Sequence, residues 1–145
     1  MNLYSAKEMT SLLERHDFFF KKNLGQNFLM NEAVARRIAD TSRETITEDG
    51  PTLAVEIGPG AGALTKQLSM LFDQVVAIEL DTHLIPVLKE SLAENENVRV
   101  INTDALQFDF AALGREFEGY KMAVCSNLPY YITSELIMRL LESGL

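Results

Sequence analysis

The sequence predicts an α/β fold with a parallel sheet, built from strands and helices that alternate over residues 51–145. Three observations support this prediction. Short apolar runs rich in branched residues recur at intervals that suit buried strands. Segments with leucines at helical spacing lie between these runs, and the first run leads directly into a glycine-rich turn. Strands and helices in this order form right-handed βαβ units, so the strands are expected to be parallel.

Four strands and three helices are expected in this region. The strands are predicted over residues 53–57, 74–80, 98–102 and 122–126. The first helix is predicted from Leu64, Leu68 and Leu71, and the second from Leu84, Val87, Leu88 and Leu92, with Pro86 in its first turn. Thr133 is predicted to cap a final helix. A nucleotide-binding sheet usually has more strands, so we expect this one to be truncated after about four.

Residues 1–50 are predicted to form an N-terminal helical or lid segment, separate from residues 51–145. Ser5 and Glu8 have the spacing of a capping box, which predicts a helix from about Ser5 to Arg15. Asn31 is expected to cap a second helix that reaches about Ser42. Val34 and Ile38, one turn apart, are predicted to lie on its buried face.

The composition indicates a globular protein with a real core, since 47% of the 145 residues are hydrophobic and 23% are charged. No apolar run approaches the roughly 18 residues of a membrane span, so we expect no membrane association. One cysteine excludes an internal disulfide and favours the cytoplasm. With only two distant histidines beside it, no metal site is expected. The net charge of −8 argues against a broad nucleic-acid surface but leaves room for a local basic face.

The glycine-rich turn after the first strand is the first candidate site. Gly58, Gly60 and Gly62 alternate between a strand and a helix, which allows a tight turn and a close approach of a ligand to the backbone. With Ala63 the spacing also satisfies a loose G-x-G-x-x-A pattern. The turn therefore predicts a Rossmann-like site for a nucleotide-like ligand, without specifying which one.

Acidic residues end the second and third predicted strands. Glu79 follows Gly58 by 21 residues and could accept hydrogen bonds from both hydroxyls of a ribose. Asp81, two positions later, is the competing candidate. Asp104 at the end of the third strand could accept a hydrogen bond from the amine of an adenine. All of these positions lie at the carboxyl ends of parallel strands, where ligands of such sheets bind.

The tetrapeptide after the fourth strand suits methyl transfer to an adenine amine. The lone pair of that nitrogen is delocalised into the ring, which makes it a poor nucleophile. An amide oxygen, such as that of Asn127, and a backbone carbonyl can accept its two N–H bonds and aim the lone pair at a sulfonium methyl. Pro129 would stiffen the loop, and Tyr130 could hold the extruded base by stacking.

Taken in order and spacing, these segments resemble the ribosomal RNA adenine dimethyltransferases of the KsgA type. The resemblance runs from about Lys21 to Leu145. It rests on Glu79 and on four segments: LGQNFL at 24–29, EIGPGAGALT at 56–65, NTDA at 102–105 and NLPYYI at 127–132. It implies the class I fold of methyltransferases that use S-adenosylmethionine.

The resemblance also implies a cofactor, a substrate and roles for single residues. S-adenosylmethionine would donate methyl groups to two adjacent adenines near the 3′ end of small-subunit rRNA, within the 30S precursor particle. The residues expected to surround the cofactor are Asn27, Leu29, Gly58, Glu79, Asp104 and Asn127. Asn27 and Leu29 would close over it. Glu79 would accept hydrogen bonds from its ribose, and Asp104 would accept one from its adenine amine. Asn127, Leu128, Pro129 and Tyr130 would form the catalytic segment.

Members of that family continue through further strands and a smaller helical domain, so we expect the present chain by itself to be inactive on RNA. Three alternatives remain. Antibiotic-resistance methylases of large-subunit rRNA are related, but Leu24-Gly25 favours the small-subunit branch. An NAD-dependent oxidoreductase could use the glycine turn and Glu79, but it leaves residues 127–130 unexplained. A non-catalytic RNA-binding or transcription-factor relative would not need the intact tetrapeptide.

Overall fold

A computed structural model describes residues 1–17 and 30–126, and its centre is one parallel sheet. The strands are β1 (Thr52–Ile57), β2 (Gln74–Glu79), β3 (Val98–Asn102) and β4 (Lys121–Ser126). Their spatial order is β3-β2-β1-β4, and each neighbouring pair is parallel. The four predicted strands are thus confirmed, with ends that differ by at most one residue.

Five helices accompany the sheet within the described residues. They are α1 (Ala6–Arg15), α2 (Glu32–Glu44), α3 (Ala63–Leu71), α4 (Ile85–Ser91) and α5 (Phe110–Glu116), and a 3-10 turn at Thr82–Leu84 precedes α4. No helix in residues 1–17 and 30–126 is long and apolar enough to cross a membrane. The helix predicted after Thr133 falls outside the described residues.

The first two helices begin where their capping residues predict. The Ser5 hydroxyl accepts a hydrogen bond from the Glu8 backbone N–H at 3.4 Å. The Asn31 side-chain oxygen accepts from the backbone N–H groups of Ala33, at 2.8 Å, and Val34, at 3.3 Å. Each cap satisfies N–H groups that have no partner inside the helix, which fixes the first turn.

The predicted buried face of α2 is wrong. Val34 and Ile38 are 48% and 37% exposed, whereas Ala35 and Ala39 are completely buried. Both pairs have helical spacing, so periodicity alone does not distinguish two adjacent stripes of one helix. The structure buries the stripe of small residues. Ala39 packs in a cluster with Leu64 of α3, and its short side chain lets the two helices approach closely.

Helix α5 connects β3 to β4 and was not predicted from the sequence. The Asp109 side chain caps it by accepting from the Ala112 N–H at 2.9 Å, and Phe110 and Leu113 are buried. The helix has only seven residues, which is too short for a clear periodic signal. The available signal was the capping Asp109 followed by Phe110, Leu113 and Phe117 at helical intervals.

The sheet is covered on both faces. Alternate residues of β1 point to opposite sides, as in any strand. Leu53, Val55 and Ile57 pack with Phe110 and other residues of α5 and its ends. On the other face, Ala54 packs with α2 and α3 residues, including Leu64 and Leu68. This three-layer arrangement leaves the carboxyl ends of the strands as the place where loops can build a site.

Candidate ligand-binding site

A cleft of about 250 Å³ lies at the carboxyl ends of β1 and β2. The glycine turn and the carboxylates of Glu56 and Glu79 supply its polar wall, and Met30, Leu64 and Leu84 supply apolar surface. The structure therefore brings the predicted glycine turn and Glu79 together. It also adds Glu56, for which no separate role was predicted from the sequence.

The glycine turn depends on backbone conformations that glycine adopts readily. Gly58, Gly60 and Gly62 have φ values of +76°, +59° and +97°, in the region that side chains with a Cβ rarely adopt. The Gly58 N–H donates to the Ile78 carbonyl of β2, and the Gly62 N–H donates to the Pro59 carbonyl, both at 2.9 Å. The turn is thereby tied to the sheet and directs the chain into α3.

Glu79 connects the end of β2 to the glycine turn. Its side chain is buried, and one carboxylate oxygen accepts a hydrogen bond from the Gly60 N–H at 3.2 Å. The other oxygen accepts from the Asp81 N–H at 2.9 Å. Burial raises the pKa of this carboxyl despite these bonds. A carboxylate has about four acceptor positions, so further hydroxyl donors can bind to it.

Glu56 is the second carboxylate of the cleft. It lies at the end of β1, is 3% exposed and accepts a hydrogen bond from the hydroxyl of Thr65 in α3. Burial raises its pKa to about 7, and the nearby Glu79 carboxylate adds to the shift. The sequence signal was one acidic residue in the predicted strand 53–57, which is otherwise apolar and leads directly into the glycine turn.

Asp81, the competing candidate, is directed into its own turn. One of its carboxylate oxygens accepts from the His83 backbone N–H at 2.9 Å and lies 3.2 Å from the His83 ring nitrogen Nδ1. Its side chain is half exposed and is not part of the cleft wall. The tertiary structure thus selects Glu79 as the acidic side chain that contacts the glycine turn.

Asp104 lies beyond the end of β3 and outside the cleft wall. One of its carboxylate oxygens accepts from the Leu106 N–H at 2.9 Å, within its own turn. The preceding residue, Thr103, donates its N–H to the Glu79 carbonyl at 3.0 Å. Asp104 is therefore at the same edge of the sheet as Glu79, although no direct contact joins the two side chains. The predicted Asn27, Leu29, Asn127, Leu128, Pro129 and Tyr130 lie outside the described residues.

A larger depression of about 820 Å³ lies at the opposite edge of the sheet. It is bordered by residues 45–48 before β1 and by Gly119 and Tyr120 before β4. These segments precede their strands, so the depression is at the amino ends, whereas parallel sheets bind ligands at the carboxyl ends. The smaller cleft, which holds the buried carboxylates, is therefore the candidate site.

A doubly covered parallel sheet with a glycine turn and a buried acidic residue at the next strand end defines the class of Rossmann-like nucleotide-cofactor domains. Within that class, the chain belongs to the ribosomal RNA adenine dimethylase family, whose model matches residues 17–145.

Individual relatives agree with this assignment. The chain is 43% identical to the ribosomal RNA small subunit methyltransferase A of Latilactobacillus sakei, over 99% of this chain and 48% of that protein. It is 46% identical to the protein of the same name from Enterococcus faecalis, over 92% of this chain and 45% of the relative. The chain thus spans about half the length of these curated relatives.

The fold is also similar to that of a solved 23S rRNA methyltransferase, ErmE, with a TM-score of 0.64 and 29% identity. The similarity covers 79% of this chain and 42% of that one. The class I methyltransferase fold expected from the sequence is confirmed by this likeness.

Proposed function

We propose that the intact protein transfers methyl groups from S-adenosylmethionine to the N6 amines of two adjacent adenines near the 3′ end of small-subunit rRNA. The substrate would be the 30S precursor particle in the cytoplasm. Membership of the adenine dimethylase family supports the reaction, and the names of the relatives support the small-subunit substrate. The observation that carries the proposal is the family match over residues 17–145, and the buried Glu79 carboxylate bonded to the glycine turn supports a cofactor that contains a ribose.

The cleft suits the nucleoside part of this cofactor. A ribose has two hydroxyl donors, and the Glu79 carboxylate retains acceptor positions next to the Gly60 N–H. The turn has no Cβ at Gly58 or Gly60, so a ligand can come close to the backbone. The bound cofactor would supply an electrophilic methyl group on its sulfonium. The protein would contribute binding and orientation.

The other site residues belong to the same proposal. Asn27 and Leu29 would close over the cofactor as part of an N-terminal segment, residues 1–50, beside a Rossmann-like part, residues 51–145. Asp104 would accept a hydrogen bond from the cofactor's adenine amine.

The target adenine would be held by the segment that follows β4. The side-chain oxygen of Asn127 and the carbonyl of Leu128 would accept the two N–H bonds of the amine, so that its lone pair faces the methyl group. Tyr130 would stack on the base, and Pro129 would restrict the loop. Positioning of this kind contributes to catalysis by reducing the entropy cost of reaching the transition state.

The cofactor is tested by calorimetric titration of the protein with S-adenosylhomocysteine, with NAD as the matched control ligand. We expect saturable binding of S-adenosylhomocysteine and none of NAD. Binding of NAD alone would overturn the proposal in favour of an oxidoreductase.

The catalytic segment is tested by comparing Asn127→Ala with the unmodified intact protein. We expect methyl transfer to fall by at least about 100-fold, because the amine loses a hydrogen-bond acceptor in the transition state. Binding of rRNA should be retained, as measured by filter retention. Unchanged methyl transfer in the variant would refute the catalytic role of Asn127.

Methylation of large-subunit rRNA is the second candidate, which the likeness to ErmE favours. The two candidates are separated by offering the intact protein unmethylated small and large ribosomal subunits with a radiolabelled methyl donor. We expect label in the adenines of the small-subunit rRNA. Label confined to the large-subunit rRNA would establish the alternative.

A further inference from the structure

We infer that Tyr4 is a positioning residue for the cofactor site, acting through the outer side of the glycine turn. The inference rests on the proposed function but concerns a part of the chain that the family model does not match, since that match begins at residue 17. Tyr4 precedes α1 and is 59 residues away in sequence from the backbone that it contacts.

The Tyr4 hydroxyl makes two hydrogen bonds that fix its position. It donates to the Ala63 carbonyl at 2.9 Å and accepts from the side-chain amide of Gln67 at 2.9 Å. Ala63 is the first residue of α3, directly after the glycine turn, and Gln67 is buried one turn later. The phenol thus uses its one donor and one acceptor position on the helix that begins at the turn.

A second hydroxyl holds the turn from α4. The buried Ser91 side chain donates to the Ala61 carbonyl at 2.7 Å. A Cβ on the intervening Gly62 would come within 3.0 Å of this Ser91 oxygen, so the contact is tight. The carbonyls on either side of Gly62 are therefore both bonded to hydroxyl groups of other elements.

The N-terminal segment is firmly attached where it makes this contact. Leu3, Leu12 and Leu13 are buried in one cluster with Ala61 and Ala63. At the far end of α1, the Arg15 guanidinium pairs with Glu90 of α4, next to Ser91. The buried leucines and this ion pair together hold the segment that carries Tyr4 against α3 and α4.

Three residues belong both to the apolar cluster around Leu3 and to the wall of the cleft. Ala61, Ala63 and Leu84 line the cleft and also belong to the cluster with Leu3. A shift of the N-terminal segment would therefore be transmitted to the cleft through a single layer of side chains. Because a close-packed wall has few voids to absorb such a shift, the geometry of the turn depends on what supports it.

The test is the affinity of the intact protein for S-adenosylhomocysteine in Tyr4→Phe, which removes only the hydroxyl. We expect the dissociation constant to rise by about 3- to 10-fold, as for the loss of one hydrogen bond that orients a binding loop. In methyl-transfer assays the KM for the cofactor should rise equally, while kcat at saturating cofactor stays within about twofold. A merely structural role would lower the unfolding temperature without separating KM from kcat.

Tyr120→Phe is the matched control, because Tyr120 packs edge-on against Phe117 at the other end of the sheet. Its affinity for S-adenosylhomocysteine should equal that of the unmodified protein. Gln67→Met removes the other partner of the Tyr4 hydroxyl, and its effect should be non-additive with Tyr4→Phe, since both act through one hydroxyl.

The outcomes separate this inference from the proposed function. Unchanged affinity in Tyr4→Phe, with normal binding by the unmodified protein, would overturn the inference alone. Failure of the unmodified intact protein to bind S-adenosylhomocysteine would overturn the proposed function and the inference with it.

Discussion

The ends of β2 and β3 look alike in sequence but differ in the structure. Each strand leads to an acidic residue at the same edge of the sheet, Glu79 in one case and Asp104 in the other. Glu79 is 6% exposed and bonded to the glycine turn, whereas Asp104 is half-buried and, within the described part of the chain, its side chain bonds to its own turn. The difference arises from the neighbours of the strands. β2 lies next to β1, which carries the glycine turn, whereas β3 is an edge strand of the described sheet and is separated from β1 by β2.

The environment of an acidic residue at a strand end thus depends on which strand lies next to it. The turn after β1 contacts β2 directly, because the Gly58 N–H donates to the Ile78 carbonyl. The turn therefore lies beside the buried Glu79 carboxylate, which is oriented by the hydrogen bond from the Gly60 N–H. The residue before Asp104, Thr103, donates its backbone N–H to the Glu79 carbonyl, but the glycine turn does not contact the Asp104 side chain.

The largest effect is expected from Glu79→Ala. We expect the affinity for S-adenosylhomocysteine to fall by about 100-fold, because hydrogen bonds to a charged group contribute roughly 1.5–3 kcal/mol each. Calorimetric titration measures the change. Asp81→Ala is the control, and its affinity should change by less than about threefold, since Asp81 does not line the cleft. Equal losses of affinity in the two variants would show that Glu79 has no greater part in ligand binding than Asp81.

A smaller effect, on stability, is expected from Glu56→Gln. Burial raises the pKa of Glu56 to about 7 in the folded protein, while an unfolded chain has a glutamate pKa near 4.3. Between these two pH values, the Glu56 carboxyl therefore keeps its proton in the folded state and has lost it in the unfolded state. The stability contributed by the protonated form is fully present below about pH 4.3 and is lost as the pH rises through about 7.

Glutamine is a close mimic of the protonated carboxyl and does not titrate. Between pH 5 and pH 8, we expect the free energy of unfolding of the unmodified protein to fall by about 2 kcal/mol relative to Glu56→Gln. Urea unfolding at both pH values measures this difference. The exposed Glu94→Gln should give no such divergence. Parallel pH profiles for the unmodified protein and Glu56→Gln would contradict the assignment of the shifted pKa to Glu56.

The smallest effect is expected from Asp104→Asn. Asparagine retains an oxygen that can accept from the Leu106 N–H, so the turn should persist. The carboxylate oxygen that we propose accepts from the cofactor's adenine amine is replaced by an NH2 group. We expect the affinity for S-adenosylhomocysteine to fall by about 3- to 10-fold, which calorimetric titration can resolve.

An analogue in which the adenine amine is replaced by oxygen provides the matched control for Asp104. The variant should not lose affinity for this ligand, because an amide N–H can donate to the new oxygen. A loss as large as that of Glu79→Ala, for both ligands, would mean that the ends of β2 and β3 do not differ as proposed.

Much of the fold was predictable because its signals are local. Ser5 and Asn31 begin their helices by bonding to backbone groups two or three residues away, and such contacts can be recognised in sequence. The strands were recognised because those in the centre of the sheet are buried on both faces and form continuous apolar runs. The short α5 was missed because seven residues give little periodicity.

The errors and open choices concern contacts between distant elements. Sequence periodicity did not reveal that α2 buries Ala35 and Ala39 in preference to Val34 and Ile38. That choice depends on how closely α3 approaches, which is a property of both helices. Glu56 likewise gained a role only when Thr65 and Glu79 were brought beside it.

The fold class, the family and the glycine turn could be predicted from the sequence, because strand patterns, helix caps and closely spaced glycines are local features of the chain. Which of Glu79 and Asp81 contacts the glycine turn became clear from the tertiary structure alone. The two carboxylates are two residues apart, but Glu79 accepts from the Gly60 N–H, whereas Asp81 accepts from the His83 N–H. Only the tertiary structure, too, placed Tyr4 behind that turn. A contact that spans 59 residues depends on packing, and packing is decided by the whole fold.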